Sequence, residues 1–373
     1  MRLGLAPAEL PERVRAGSQR RAGAIVRVCY RFASPHLEMT MLTRRMITLL
    51  LAGASIAFGA PAMGQGKVVV YTSNDSNLNR FIFEEFKKET GIVVEQVEAG
   101  SGVILRRMAS ERERPLGDII WGVSRTLLRA NKPLLAPYAS KNKDTVPAHF
   151  RDPDDHWIGT NVHLLVILQN TKQLPAEQGP KAWTDLLKPE WKGKIAFTDP
   201  ANSGSAYSNV TLWAQAWGND DAAWEKVSQL IANTKVLNRS SLVFQGVGNG
   251  EFPLGISLEY AGYQWSSNGA PVKVIYPSDG TIAQMEGVAI IKGGPNPDAA
   301  KQFVDYVTRK DVREAILKFA FRRPARQDLD LSKLPGAMPQ LSSLKLVDYD
   351  EDAWVEKRVE TARKIQDIIR NTR

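Results

Sequence analysis

Val68-Val69-Val70-Tyr71-Thr72-Ser73-Asn74-Asp75-Ser76 opens the body of this 373-residue chain. Its first five residues are a continuous β-branched and aromatic run, as expected of a strand buried on both faces. The next four are short polar residues that favour helix N-caps. Leu78, Phe81, Ile82 and Phe86 then recur at helical spacing until Gly91. Outward from this stretch the alternation repeats. Ile92-Val93-Val94 reads as strand, and Ala99-Gly100-Ser101-Gly102 turns into a helix carrying Val103, Ile104 and Met108. Asp118-Ile119-Ile120-Trp121 follows as a third strand, with Ser124 placed to cap the next helix. This order predicts parallel strands joined by right-handed crossovers.

A second α/β unit begins near residues 164–168. Trp183, Leu186 and Leu187 fit a short helix, and Ile195-Ala196-Phe197 a strand. Asp199-Pro200-Ala201-Asn202-Ser203-Gly204-Ser205 then leads into a helix bearing Val210, Leu212 and Trp213. Residues 254–258, 272–275 and 288–291 read as further strands, and 299–307 and 312–317 as helices. A last amphipathic helix is expected to align Val355, Val359, Ala362, Ile365 and Ile369. No repeat or Pro/Gly linker separates the two units, so the chain is expected to cross between them on strands.

Composition excludes several classes of function. Hydrophobic residues are 43% and charged residues 24%, which argues against wholesale disorder or a multi-span membrane protein. A net charge of +9 would suit a nucleic acid. However, nine arginines and three glutamates lie at or before Arg45, so most of that excess belongs to a leader and no nucleic-acid partner is expected. The single cysteine, Cys29, also lies there, leaving the body without a thiol for a disulfide, a Cys-ligated metal or a nucleophile. Met41-Leu42-Thr43-Arg44-Arg45, the apolar residues 46–58 and Ala60-Pro61-Ala62 together read as a signal peptide over 41–62, cleaved near Ala62. Residues 1–40 read as an extension upstream of a true start at Met41. The expected destination is the periplasm, by either the Sec or the twin-arginine route.

The P-loop, the dinucleotide fingerprint, H-E-x-x-H and the G-x-S-x-G elbow are all absent. His149, His156 and His163 are spaced by seven, which matches no common zinc motif, and Asp152, Asp154 and Asp155 read as a solvated turn. What remains is three small-residue loops between strand end and helix start: Ser73-Asn74, Ser101-Gly102 and Ser203-Gly204-Ser205. Helix N-termini offer free N–H groups and partial positive charge, and in an open α/β sheet such loops lie where ligands bind. Three of them over two units favour an anion held between lobes.

On these residues the chain resembles the periplasmic solute-binding proteins of ABC importers, in the type II branch that binds ferric ion, phosphonates or sugar phosphates. The resemblance runs from Lys67 to about Arg370. It is carried by the stretches 69–73, 101–104, 117–122, 183–194 and 199–204, by Glu259-Tyr260, by Glu286-Gly287-Val288-Ala289, and by Arg322-Arg323-Pro324-Ala325-Arg326. It implies two α/β lobes joined by two hinge strands, 67–161 with 281–373 forming lobe one and 162–280 lobe two. It further implies a cleft ligand, no cofactor, no catalysis, a monomer, and delivery of the solute to an inner-membrane permease. The expected ligand-binding residues are Ser73, Asn74, Ser101, Gly102, Trp121, Ser203, Gly204, Ser205, Glu259, Tyr260 and Glu286. Ferric-binding members present two adjacent tyrosines where this chain has Glu259-Tyr260, and a histidine where it has Asn74. The departure favours a small organic anion such as a phosphonate or sugar phosphate. A ferric receptor using Tyr260 and Glu259 is the alternative, and a secreted hydrolase a remote third reading.

Overall fold

The computed structural model describes residues 66–372; the signal peptide and upstream extension read in residues 1–62 lie outside them. The body opens β1 (Lys67–Thr72), α1 (Ser76–Thr90), β2 (Val93–Glu98), α2 (Ser101–Ser110), β3 (Ile119–Ser124). β1 pairs in parallel with β2 on one side and β3 on the other, the crossover arrangement that the sequence pattern predicts. α1 starts where Asp75 accepts a hydrogen bond from the Leu78 N–H. It ends at Gly91, whose φ of 73° suits glycine.

The chain continues through α3 (Arg125–Ala130), β4 (Leu135–Ala136), β5 (Ile158–Asn170), β6 (Ile195–Thr198), α4 (Gly204–Ala216) and α5 (Asp221–Ala232). Next come β7 (Thr234–Leu237), α6 (Ser240–Asn249), β8 (Leu254–Leu258), α7 (Glu259–Ser267), β9 (Val272–Ile275) and β10 (Ala283–Ile291). α8 (Pro297–Thr308), α9 (Lys310–Ala320), β11 (Arg323–Pro324), α10 (Glu351–Glu356) and α11 (Arg358–Thr372) complete it. Residues 183–187 form a 3-10 turn rather than an α-helix.

β5 joins the two halves of the molecule. All thirteen of its residues are buried. Its first part pairs with β10 and β11, and its second part pairs with β8 and β9. β8, β6 and β7 continue outward in parallel. Val70, Phe86, Trp121 and Phe303 belong to the core on one side, whereas Phe197, Trp213 and Leu230 belong to the core on the other.

The C-terminal stretch departs from the sequence reading. Trp354, Ile365 and Ile369 join the core of the second half, not that of residues 67–161. Trp354 meets Trp224 edge-on at 6.5 Å between ring centroids, and the Tyr207 hydroxyl donates to the Trp354 carbonyl at 3.2 Å. Residues from about 341 onward therefore contribute their apolar side chains to the second half, while Leu346 bridges Thr281 and Glu351 reaches Arg125 and Thr126 of the first. The helix also breaks at Lys357, which turns Val359 outward at 66% exposure and places Trp354, Thr361, Ile365 and Ile369 on the buried stripe. No helix among the described residues is long and apolar enough to cross a membrane.

Candidate ligand-binding site

The carboxyl ends of β1, β3, β6, β7 and β8 point at one cavity between the halves, and the helices that follow begin at its wall. Ser73, Asn74, Ser101, Ser203, Gly204, Ser205, Tyr260 and Glu286 all line it, as expected from the sequence. Ser124, Arg239, Ser240, Ser241 and Gln284 line it too, and sequence reasoning missed them. The loop Asn238-Arg239-Ser240-Ser241 carries the same small-residue signal as the others, but it follows β7, whose half-buried Thr-Lys-Val-Leu is a weak strand pattern.

Hydroxyls cluster on the second half's wall. Ser203 Oγ lies 3.0 Å from both Ser205 Oγ and Ser240 Oγ. Ser203 also caps α4 by accepting from the Ala206 N–H at 3.3 Å. No side chain caps α6, so its first N–H groups stay available to an anion. The halves touch at the residues flanking Ser203. Ser101 Oγ accepts from the Gly204 N–H at 2.9 Å, and the Gly102 N–H donates to the Asn202 carbonyl at 3.1 Å. A side chain on Gly102 would meet the Ala201 carbonyl oxygen at 2.1 Å, so glycine is what permits this approach. Arg106 donates to the Ala201 carbonyl and Asn202 Oδ1, while Arg239 pairs with Glu98 at 3.0 Å.

The opposite wall is organised by Arg322, 1% exposed and assigned no role from sequence. It donates to Asn74 Oδ1 at 2.9 Å, pairs with Asp75 at 3.0 Å and Glu286 at 3.3 Å, and lies 3.8 Å over the Tyr260 ring. Asn74 Oδ1 is taken by Arg322, and its amide nitrogen has no partner among the described residues, at the cavity wall. Gly122, at φ 80°, sits behind it; a Cβ there would come within 2.6 Å of Asn74 Oδ1.

Burial would push the Glu286 carboxyl up, but His163, 2.6 Å away, together with Arg322 holds it below its ordinary 4.5. A depressed folded value contributes stability above the ordinary carboxylate range, and that contribution is lost as pH falls through the folded value. Urea unfolding from pH 6 to pH 3 is expected to show declining stability in the wild type and a shallower decline in Glu286→Gln. Equal slopes would show that Glu286 does not couple in this way. Burial likewise pushes the Tyr260 phenol up, outweighing the neighbouring Arg322.

Three expected ligand residues fall elsewhere. Trp121 is fully buried against Phe83 and Phe303, because its strand is covered on both faces. Gly102 serves the contact with Ala201 and Asn202 rather than the cavity wall. Glu259 is turned away into a two-toothed pair with Arg323, 2.7 Å at each oxygen, and accepts from the Tyr276 hydroxyl. Glu259 and Tyr260, the pair expected of a ferric receptor, therefore face different ways in this structure. Asp152, Asp154 and His156 bring possible ligand atoms within 4.8 Å of one another, but the Lys132 ammonium already binds both aspartates, at 2.9 and 2.6 Å.

A two-sided α/β body with strand ends and helix N-termini around an interior cavity defines a solute-binding architecture. Residues 115–351 match the bacterial extracellular solute-binding protein family, and the chain belongs to it. A periplasmic binding protein of Actinobacillus pleuropneumoniae, solved with fructose-6-phosphate bound, is 26% identical, with a TM-score of 0.75 over 82% of this chain and 99% of that one. A Salmonella typhimurium protein, provisionally named as a periplasmic 2-aminoethylphosphonate-binding protein, is 22% identical over 76% of this chain and 86% of its own length. The Fe(3+)-binding periplasmic protein of Serratia marcescens is 24% identical over 82% of this chain and 96% of its own length.

Proposed function

We propose that this chain is a monomeric periplasmic receptor of an ABC importer that closes on a small anionic solute, a phosphonate or a phosphorylated organic compound. It delivers that solute unchanged to the inner-membrane permease. The observation that carries this reading is the meeting of Ser203, Ser205 and Ser240 hydroxyls beside the uncapped start of α6. Rotatable hydroxyls and free N–H groups suit the oxygens of a tetrahedral oxyanion. The paired carboxylates and amides opposite suit an ammonium or hydroxyls on the same solute. The halves act as lobes hinged at β5 and β10, with 67–161 on one side and 162–280 on the other. Periplasmic relatives that bind a sugar phosphate or are named for a phosphonate support the same solute class.

Titration calorimetry with 2-aminoethylphosphonate, fructose-6-phosphate and inorganic phosphate tests the reading. At least one is expected to bind in the micromolar range or tighter. Ser240→Ala should weaken it about fivefold, the worth of one neutral hydrogen bond of ~1 kcal/mol. Absence of binding, together with a charge-transfer colour on adding ferric iron, would instead make this an iron receptor. That outcome would require Tyr260 to ionise against its burial.

A further inference from the structure

We infer that Glu351 is a positioning residue for the solute: from outside the cavity it latches the two halves together, and so sets how tightly the solute is held. This rests on the hinged-lobe reading above. After β11 the chain passes once more to the second half, and α10 is fixed there from several sides. Val347 and Tyr349 pack on that half's core, and the Tyr349 hydroxyl lies 2.6 Å from Thr211 Oγ1. Gln215 donates to the Asp348 carbonyl at 2.6 Å and accepts from the Trp354 indole N–H at 2.8 Å. At the base of β10 the Thr281 N–H donates to the Lys345 carbonyl at 3.0 Å, and the Val347 N–H to the Thr281 carbonyl at 2.8 Å. The segment leading into α10 is thus tied beside the hinge.

From the first turn of this anchored helix Glu351 reaches the other half. Its carboxylate accepts from the Arg125 guanidinium at 3.2 Å and from the Thr126 hydroxyl. Asp352 beside it pairs with Arg129 and, at 3.5 Å, with Arg125. α3, which carries all three partners, belongs to the first half through Leu127 and Leu128, buried with Tyr71, Ile104 and Val123. Ser124, directly before Arg125, lines the cavity. Leu127 stands against Gly204 at the start of α4, where a Cβ would meet it at 2.8 Å. Latch and cavity wall therefore share one turn of chain, although Glu351 itself does not line the cavity. A rotation of the halves about β5 and β10 moves α10 relative to α3. Glu351 is 16% and Arg125 27% exposed, so their charged bonds are better shielded than those of a surface pair. An interaction made only in the closed arrangement raises the population of that arrangement, and with it the apparent affinity for whatever it encloses. The Arg239–Glu98 pair also spans the halves, but both residues line the cavity and could touch the solute directly. Glu351 separates the two effects.

Calorimetry with 2-aminoethylphosphonate and fructose-6-phosphate, and small-angle X-ray scattering without any solute, test the latch. Glu351→Lys sets a cation against Arg125 and Arg129. It is expected to weaken whichever probe binds by about tenfold, on the order of what one charged hydrogen bond is worth. Its radius of gyration should exceed that of the wild type. Glu351→Gln, which keeps the shape of the side chain, should move both readings the same way by less. Adding Arg125→Glu to Glu351→Lys restores an opposite-charge pair and should return both readings toward the wild type, which a general loss of stability would not do. An affinity or a radius of gyration that stays at the wild-type value in Glu351→Lys, or a loss that Arg125→Glu does not recover, would overturn the latch and leave the anion reading standing. If neither probe binds the wild type, the anion reading fails and scattering alone decides the latch.

Discussion

Replacing Ser203 by aspartate is expected to leave the protein folded and to remove anion binding. Ser203 is the N-cap of α4, in extended conformation with its hydroxyl accepting from the Ala206 N–H. Aspartate caps a helix as well as serine does, and its charge is favourable at a helix start. The melting temperature should therefore hold. The new carboxylate, however, would sit among the Ser205 and Ser240 hydroxyls, both 3.0 Å from the present oxygen. At ~4 Å and an effective dielectric of about 20, two like charges repel by about 4 kcal/mol, on the order of a thousandfold in affinity. Calorimetry with the tightest phosphonate or phosphate ester reads the loss, and a circular dichroism melt reads the fold. Wild-type affinity in Ser203→Asp would mean that the anion does not sit at this cluster.

The second large effect is one of stability. Arg323 and Glu259 pair at 2.7 Å with side chains 3% and 2% exposed, and Arg323 also donates to the Pro339 carbonyl at 2.7 Å. Removing one partner leaves the other charge buried alone, at a cost of about 3–5 kcal/mol. Glu259→Ala should lower the urea unfolding free energy by that amount. Glu259→Leu combined with Arg323→Met should recover most of it, because an apolar pair buries no charge. A loss below ~1 kcal/mol in the single variant would show that the pair is solvated. The pair also ties α7, which carries Tyr260, to β11 against β5. Some loss of affinity is expected alongside the loss of stability.

Local physics accounts for what could be read in advance. A strand buried on both faces writes itself as an apolar run, as at Val68–Tyr71. The residue that caps a helix is short and polar wherever the chain later folds to, as at Asp75 and Ser203. The serine loops and the parallel order of β1, β2 and β3 followed from such patterns. Ser240 carries the same signal, but its strand, β7, is half-buried and lacks an apolar run to mark it.

The roles of charged residues were not legible. Arg322 lies 248 positions from Asn74, and nothing within one turn of either residue marks the pair. Glu259 and Tyr260 are neighbours in sequence, yet Tyr260 faces the cavity and Glu259 turns to an arginine 64 positions away. A helix rotates successive side chains by about 100°, and which face meets the ligand depends on what packs behind the other. Trp121 shows the same limit in the core, where Phe303, from a helix much later in the chain, covers it. Periodicity and capping act over a few residues, so the sequence by itself determined the elements and where each helix begins. Buried charge is stable only beside a partner brought from far along the chain, so only the tertiary structure decided which side chains reach the solute and which hold the walls in place.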